Sequence, residues 1–280
     1  ARQWALDVTK YWIENFDIDG WRMDVAKELD FSFWKEFRDI AHGANKDTLL
    51  ISEIFGDTSQ WLQGDRFDGT MNYSFRESMT DYFATKRITN KEFADSLANL
   101  YSMYSFEALS SCQNLLSSHD VKRFLNRCGN EKDGMLGAIF LQATFPGIAG
   151  IYYGDEIGLG GADDPFNREP FPWDDKKSWN LEILDHLKNL MKIKREHSIF
   201  KYGRFELLNE HNDFVAFRRI LKDESMLCVI NREKSNDDFQ IISNAHSINL
   251  KFGECTTNLH DGKIKITNNS GDIGIIIHEQ

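Results

Sequence analysis

Apolar residues along the first two-thirds of the chain follow two periods that alternate. Trp4, Val8, Tyr11 and Trp12 recur at helical spacing from the outset, and short β-prone runs and further helical stretches then take turns. This alternation predicts βα units around a parallel sheet. The expected strands are Ile18–Met23, Thr48–Ser52, Phe67–Thr70, Cys112–Ser117 and Ile148–Tyr152, and the expected later helices are Phe31–His42, Ser74–Thr85, Lys91–Glu107, Met135–Thr144 and Leu181–Glu196.

The pattern changes near His197. Short β-prone runs follow, separated by Asn, Asp, Gly and Lys, which is typical of a small antiparallel β-domain. We therefore expect a barrel portion over residues 1–196 and a β-domain over residues 197–280. The runs are Phe205–Leu208, Phe214–Ile220, Met226–Ile230, Phe239–Ile242, Ile264–Ile266 and Ile273–Ile277.

The first part holds five strand-plus-helix units, whereas a complete (β/α)8 barrel needs eight strands. The expected fold is thus α/β, the C-terminal part of a TIM barrel (strands 4–8) followed by the β-domain. The chain also opens inside a helix without an initiator Met, so we expect an N-terminal truncation. The expected partner is then either a second copy, giving a homo-oligomer, or the missing N-terminal half.

The net charge limits which binding partners are expected, and the cysteines bear on the expected cellular location. The net charge of −11 disfavours nucleic acid and anionic membranes, and no apolar run approaches the length of a membrane span. A neutral ligand is favoured. The four cysteines lie far apart without metal-ligand spacing, so reduced thiols and a cytoplasmic location are expected.

Three acids each close a predicted strand: Asp24, Glu53 and Asp120. The C-terminal strand ends of a parallel barrel form one face, so the three carboxylates are expected to converge there. A carboxylate pair is the machinery of glycoside hydrolysis, with a separation of about 5–5.5 Å in retaining enzymes. Arg22, two residues before Asp24, should share its side of the strand and keep it ionised.

A single acid after a strand is more often the N-cap of the next helix. Three such acids, with Arg22 near the first and His119 before the third, make that explanation a poor one. The glycine-rich stretch from Gly154 lacks dinucleotide-binding spacing, and the acidic pairs near Asp164 match no EF-hand loop, so neither a cofactor nor a metal is expected.

These motifs resemble signature regions of the α-amylase superfamily, glycoside hydrolase family 13. The matching stretches include Gly20–Glu28, Ser52–Phe55 and Leu116–Asp120, and the similarity extends to Phe67–Tyr73 and Gly150–Glu156. The subgroup most similar to them is that of the neopullulanases, cyclomaltodextrinases and maltogenic amylases. The superfamily's first signature region is absent, and Phe55 stands where members of that subgroup have Trp.

The resemblance implies roles for individual residues. Asp24 would form the covalent glycosyl intermediate, Glu53 would act as acid and base, and Asp120 would bind sugar hydroxyls and favour the distorted ring. The other implied substrate-binding residues are Arg22, His119, Lys27, Glu28, Phe55, Asp164 and Arg168. The implied reaction is hydrolysis of α-1,4-glucosidic bonds in maltodextrins or cyclodextrins with retention. Two alternatives stay open, a transglycosylase and a non-catalytic glucan-binding or scaffold relative.

Overall fold

A computed structural model describes residues 1–208, 213–233, 238–268 and 273–280. Its first part contains five parallel strands in chain order. An isolated parallel bridge from Met71 to Gln113 connects the third strand to the fourth. The strands are β1 (Gly20–Met23), β2 (Leu49–Ser52), β3 (Gly69–Thr70), β4 (Gln113–Leu115) and β5 (Ile148–Gly150).

Helices between the strands cover the outer side of this sheet. In α2, Asp30 accepts a hydrogen bond from the Ser32 N–H at the N-terminus, and Trp34, Phe37 and Ala41 form the buried stripe at helical spacing. The helices are α1 (Arg2–Phe16), α2 (Phe31–Ala44), α3 (Tyr73–Met79), α4 (Asn90–Met103), α5 (Phe106–Ser111), α6 (Phe124–Arg127), α7 (Lys132–Thr144), α8 (Leu181–Glu196) and α9 (Ile199–Tyr202).

The remaining strands are antiparallel and form two sheets. The five-stranded sheet has the order β10-β13-β8-β7-β6 and the three-stranded one the order β11-β12-β9. Apolar side chains such as Phe239 and Ile264 pack with Leu227 and Ile275 in a core of their own. The strands are β6 (Arg204–Leu208), β7 (Val215–Leu221), β8 (Glu224–Ile230), β9 (Asp238–Ile242), β10 (Ile248–Phe252), β11 (Thr256–His260), β12 (Lys263–Thr267) and β13 (Gly274–Glu279).

The β-sheets and the parallel part also share a core. Phe145, which follows α7, lies 5.2 Å from Phe205 of β6, ring centre to ring centre, and Phe140 lies 6.1 Å from Phe252 of β10. One continuous buried cluster thus runs across the expected boundary between residues 196 and 197. That boundary stays a prediction.

Several expected elements differ in the structure. The helix expected over Lys91–Glu107 is two helices. The first ends at Met103, followed by an extended Tyr104, and the Ser105 side chain accepts from the Ala108 N–H at the start of the second. The helix expected over Ser74–Thr85 finishes in a π-helical turn, Thr80–Ala84. Strands β10 and β11 were not expected at all. Among the described residues, no helix is long and apolar enough to cross a membrane.

Candidate active site

The ends of β1 and β2 bring Asp24 and Glu53 side by side. Met23 pairs with Ser52 in parallel register, so the two acids follow paired residues. The backbone holds them there, since the Glu53 N–H donates to the Met23 carbonyl at 2.9 Å and the Ala26 N–H donates to the Glu53 carbonyl at 3.2 Å. The two strands therefore present both carboxyl groups at the same end of the sheet.

Arg22 lies between the two carboxyl groups. Its Nη1 donates to Asp24 Oδ1 at 2.7 Å, and its Nη2 donates to Glu53 Oε1. Arg22 and Asp24 share one side of the strand, as the alternation of side chains requires. One guanidinium thus contacts both acids.

The environments of the two acids differ strongly. The Asp24 side chain is 74% exposed and the Glu53 side chain 5%. A hydrogen bond from Glu53 and a second from Arg22 lower the pKa of Asp24. Burial, followed by the hydrogen bond with Asp24, raises the pKa of Glu53. Near neutral pH this pair favours an ionised Asp24 beside a Glu53 that holds its proton more tightly.

The expected separation of about 5–5.5 Å between the two carboxyl groups stays a prediction. Asp24 and Glu53 both accept hydrogen bonds from the guanidinium of Arg22, which places the two carboxyl groups next to each other.

Asp120 joins the pair from the turn that follows β4. Its Oδ2 lies 3.2 Å from Nε2 of His119, and one polar atom each of Glu53, His119 and Asp120 lies within 4.8 Å of the others. This is the one such group of three metal-ligand side chains among the described residues. Two guanidiniums already neutralise it, Arg22 on Glu53 and Arg168 at 3.9 Å from Asp120, which disfavours a cation there.

The loop after β5 brings Asp164 and Arg168 to the same place. Arg168 Nε lies 3.0 Å from Asp164 Oδ1 and donates to the His119 carbonyl at 3.1 Å. Since Arg168 also lies near Asp120, the expected substrate-binding pair borders the carboxylate cluster.

The three other expected substrate-binding residues, Phe55, Lys27 and Glu28, differ in how they are linked to this cluster. Phe55 stacks on Tyr73 with 3.7 Å between ring centres, yet 53% of it is exposed. The Tyr73 hydroxyl lies 3.3 Å from Ser118 Oγ, next to His119 in sequence. Lys27 and Glu28 are exposed on a short 3-10 turn, and within the described part of the chain no hydrogen bond or ion pair joins them to the three acids.

Sequence reasoning missed two residues of the site. Val25 has a left-handed backbone with φ of 41°, and its N–H donates to Glu53 Oε2 at 3.3 Å. Asn167 is fully buried against the turn that carries His119 and Asp120. Nothing in the sequence marks a β-branched residue for a left-handed turn, whereas a polar residue between Phe166 and Arg168 could have been weighed as a loop anchor.

A parallel α/β sheet with three carboxylates at its C-terminal edge defines a glycosidase-type catalytic domain. The sequence profile described as "Alpha amylase, catalytic domain" matches residues 1–199. The chain therefore belongs to the α-amylase family, and its fold is the C-terminal part of the (β/α)8 barrel followed by a β-domain. The expected family and fold class are confirmed.

Individual relatives agree. The chain is 37% identical over 237 residues to the cyclomaltodextrinase of Thermoanaerobacter pseudethanolicus, covering 85% of this chain and 41% of that protein. It is 39% identical over 235 residues to neopullulanase 2 of Thermoactinomyces vulgaris, covering 82% and 40%. The solved debranching enzyme of Nostoc punctiforme superposes with a TM-score of 0.90 at 29% identity, covering 99% of this chain and 61% of that one. The chain thus spans about two-fifths of the length of the two curated relatives, the cyclomaltodextrinase and neopullulanase 2.

Proposed function

We propose that the protein is a retaining glycoside hydrolase that cleaves α-1,4-glucosidic bonds through a covalent glycosyl-enzyme intermediate. The observation that carries this proposal is the placement of an exposed Asp24 and a buried Glu53 at the ends of two paired strands, both on the guanidinium of Arg22. The pKa shifts agree with this arrangement, since the pKa of Asp24 is lowered and that of Glu53 is raised. A nucleophile must be ionised and a general acid protonated before the bond breaks. Asp24 and Glu53 are adjacent, and the shifts of their pKa values favour an ionised Asp24 and a protonated Glu53.

In the proposed reaction, the Asp24 carboxylate attacks the anomeric carbon while Glu53 gives its proton to the departing glycosidic oxygen. Glu53 then takes a proton from water, which attacks the same carbon and releases Asp24. Asp120 accepts hydrogen bonds from sugar hydroxyls and stabilises the distorted ring. Arg22 keeps Asp24 ionised before the attack and stabilises the carboxylate again when water releases it, since Arg22 contacts that side chain directly.

The proposed substrates are short maltodextrins or cyclodextrins. The names of the relatives, cyclomaltodextrinase and neopullulanase 2, support α-glucans. The net charge of −11 suits a neutral sugar better than an anionic ligand. Lys27, Glu28 and Phe55 are proposed to contact the leaving-group side, and Asp164 with Arg168 a distal glucose. A cytoplasmic location is proposed as well, because no disulfide joins the four cysteines, all of which lie in the described part of the chain.

Two substitutions in the full-length protein test the roles. Asp24→Asn should lower kcat by a factor on the order of 10⁴, because an amide is a poor nucleophile. Glu53→Gln should be severe on maltodextrin but much milder on an aryl glycoside whose leaving group needs no protonation. Arg204→Gln, an exposed change in the β-domain, is the control that should leave both rates unchanged.

Two results would contradict the proposal. One is an equal loss on both substrates for Glu53→Gln in a step limited by bond cleavage. The other is a first-formed product with inverted anomeric configuration, read by NMR before mutarotation. Product analysis also separates hydrolysis from transfer to a second sugar. A protein that binds maltodextrin without turnover would favour a glucan-binding relative, against which the presence of all three acids argues.

A further inference from the structure

Asn167 lies beneath the turn that carries His119 and Asp120. Its side chain is completely buried, in a short 3-10 turn, Phe166–Arg168, of the loop after β5. Its Nδ2 faces three backbone carbonyls of that turn, at 3.3 Å from Ser118, 2.9 Å from His119 and 3.0 Å from Val121. One amide group therefore satisfies most of the carbonyls of a four-residue segment.

The chemistry of these contacts requires an amide nitrogen. All three partners are acceptors, so only a donor group can face them, and an amide NH₂ supplies two N–H bonds to share. The contacts that hold the side chain are therefore all on its nitrogen, since Asn167 Oδ1 has no protein partner among the described residues.

The turn that Asn167 holds is the one whose geometry decides where Asp120 points. The Val121 N–H donates to the Ser118 carbonyl at 3.4 Å, and the Asp120 N–H donates to Ser118 Oγ at 3.2 Å. The next residue, Arg168, donates to the His119 carbonyl at 3.1 Å from the solvent side. Two consecutive residues of one loop thus donate to the carbonyls of this turn, Asn167 from the buried side and Arg168 from the solvent side.

The loop itself is fixed on the far side. Gly161 passes so close to Phe166 that a Cβ there would lie 2.6 Å from the Phe166 carbonyl oxygen. The Arg123 N–H, in turn, donates to the Gly161 carbonyl at 3.2 Å. The segment that carries Asn167 is therefore folded back and is fixed at Gly161. Because this segment is held independently of residues 118–121, Asn167 can set the position of that turn.

We propose that Asn167 is a positioning residue for Asp120. It fixes the backbone of residues 118–121, so that the Asp120 carboxylate stays within reach of Glu53 and of a sugar bound between them. Asn167 touches neither the sugar nor the reacting atoms. The inference rests on the proposed function, because the benefit of a fixed Asp120 is a catalytic one.

Two measurements on the full-length protein test this role, using Asn167→Asp. The variant keeps the shape of the side chain but sets a carboxylate against three carbonyls. Amide hydrogen exchange should become at least about tenfold faster at Asp120 and Val121, because their hydrogen bonds depend on the fixed turn. On maltodextrin, kcat/KM should fall by a factor on the order of 10², mostly through kcat. Phe166→Ala, a change at an exposed neighbour, should alter neither quantity.

A double-mutant cycle separates positioning from ordinary core stability. In an Asp120→Asn background, Asn167→Asp should lower kcat/KM by less than about threefold, because the group it positions is already gone. If Asn167→Asp does not fold, Asn167→Ser, which keeps one donor, should give a loss of about tenfold that disappears in the same background.

The outcomes are distinguishable. Unchanged exchange at residues 118–121, or a loss that is as large in the Asp120→Asn background as in the parent, overturns the role of Asn167. A parent protein that does not hydrolyse maltodextrins overturns the proposed function itself. Faster exchange together with a loss confined to the parent background supports both.

Discussion

In the proposed mechanism, Arg22 sets the pH range over which Asp24 and Glu53 can act together. That mechanism needs an ionised Asp24 and a protonated Glu53, so kcat/KM should fall below the pKa of the first and above that of the second. Asp24 has a lowered pKa and Glu53 a raised one, which widens the interval between the two limbs. Arg22 lowers both pKa values, since its guanidinium donates to both carboxylates and attracts their negative charge.

Replacing Arg22 by Gln should therefore shift the whole profile. The pKa of Asp24 rises because it loses a charged donor, and the pKa of Glu53 rises because it loses a neighbouring cation. Both limbs of a plot of log kcat/KM against pH should move to higher pH, on top of a loss of rate. Arg204→Gln is the control. Limbs that move in opposite directions would show that Arg22 does not act on the two acids together.

Val25 has a strained, left-handed backbone conformation, and in that conformation its N–H donates to Glu53. A β-branched residue with φ of 41° costs on the order of 1–3 kcal/mol, whereas glycine adopts this conformation freely. Because the side chain is exposed, Val25→Gly should raise the free energy of unfolding by about 1 kcal/mol and lower kcat/KM, since the loop becomes less ordered. Urea titration and maltodextrin kinetics measure the two effects. Thr256→Gly, on an exposed strand, should instead destabilise, and a destabilised Val25→Gly would contradict the strain argument.

The sequence predicts the acids but not what holds them. Asp24, Glu53 and Asp120 can be found because each comes at the end of a predicted strand, and parallel strands end at a common edge. Val25 and Asn167 cannot be found in this way. The first depends on a left-handed backbone that Val rarely adopts, and the second on a loop that folds back over a turn more than forty residues earlier in the chain.

The same contrast holds for whole elements. Helix α8 was predicted with the bounds it has, Leu181–Glu196, because Asn180 caps it and its apolar stripe is regular. Strands β10 and β11 were missed because each exposes polar side chains and buries little. Their pairing with β13 and β12 supplies the order that their own composition does not.

The tight contact between helix α7 and strand β13 allows a prediction about the stability of the fold. A Cβ at Gly274 would lie 2.3 Å from the ring of Phe140, which is fully buried and cannot move aside. Gly274→Ala should therefore lower the free energy of unfolding by about 1–3 kcal/mol through overpacking. Gly43→Ala, in α2 with open space around it, should raise it by up to about 0.5–1 kcal/mol. Thermal and urea unfolding give both values, and a neutral Gly274→Ala would show that this contact is loose.

At the scale of the whole molecule, two features favour association with further protein. They are the open edges of the parallel sheet and the exposed aromatic side chains of helix α1. Among the described residues, β1 pairs only with β2 and β5 only with β4, so both edges of a sheet that is closed in a (β/α)8 barrel are open. Beside the first edge, helix α1 exposes Trp4, Tyr11, Trp12 and Phe16, with the last two in contact at 4.6 Å between ring centres. Open parallel edges and aromatic patches both favour association.

The isolated 280-residue polypeptide is therefore expected to associate with itself and to lack maltodextrin hydrolysis. Among the described residues β1 pairs only with β2, so the end of β1 that carries Asp24 lies at an open edge of the sheet, and the aromatic face of α1 gains free energy by leaving water. Replacing Tyr11 and Phe16 together by Glu should reduce the associated fraction in size-exclusion chromatography with light scattering, without unfolding the chain, because both side chains are exposed. Tyr202→Glu removes an equally exposed aromatic residue elsewhere and should leave association unchanged. A stable monomer of the unaltered polypeptide that hydrolyses maltodextrins would show that five parallel strands suffice, and the interpretation of both open edges would then be wrong.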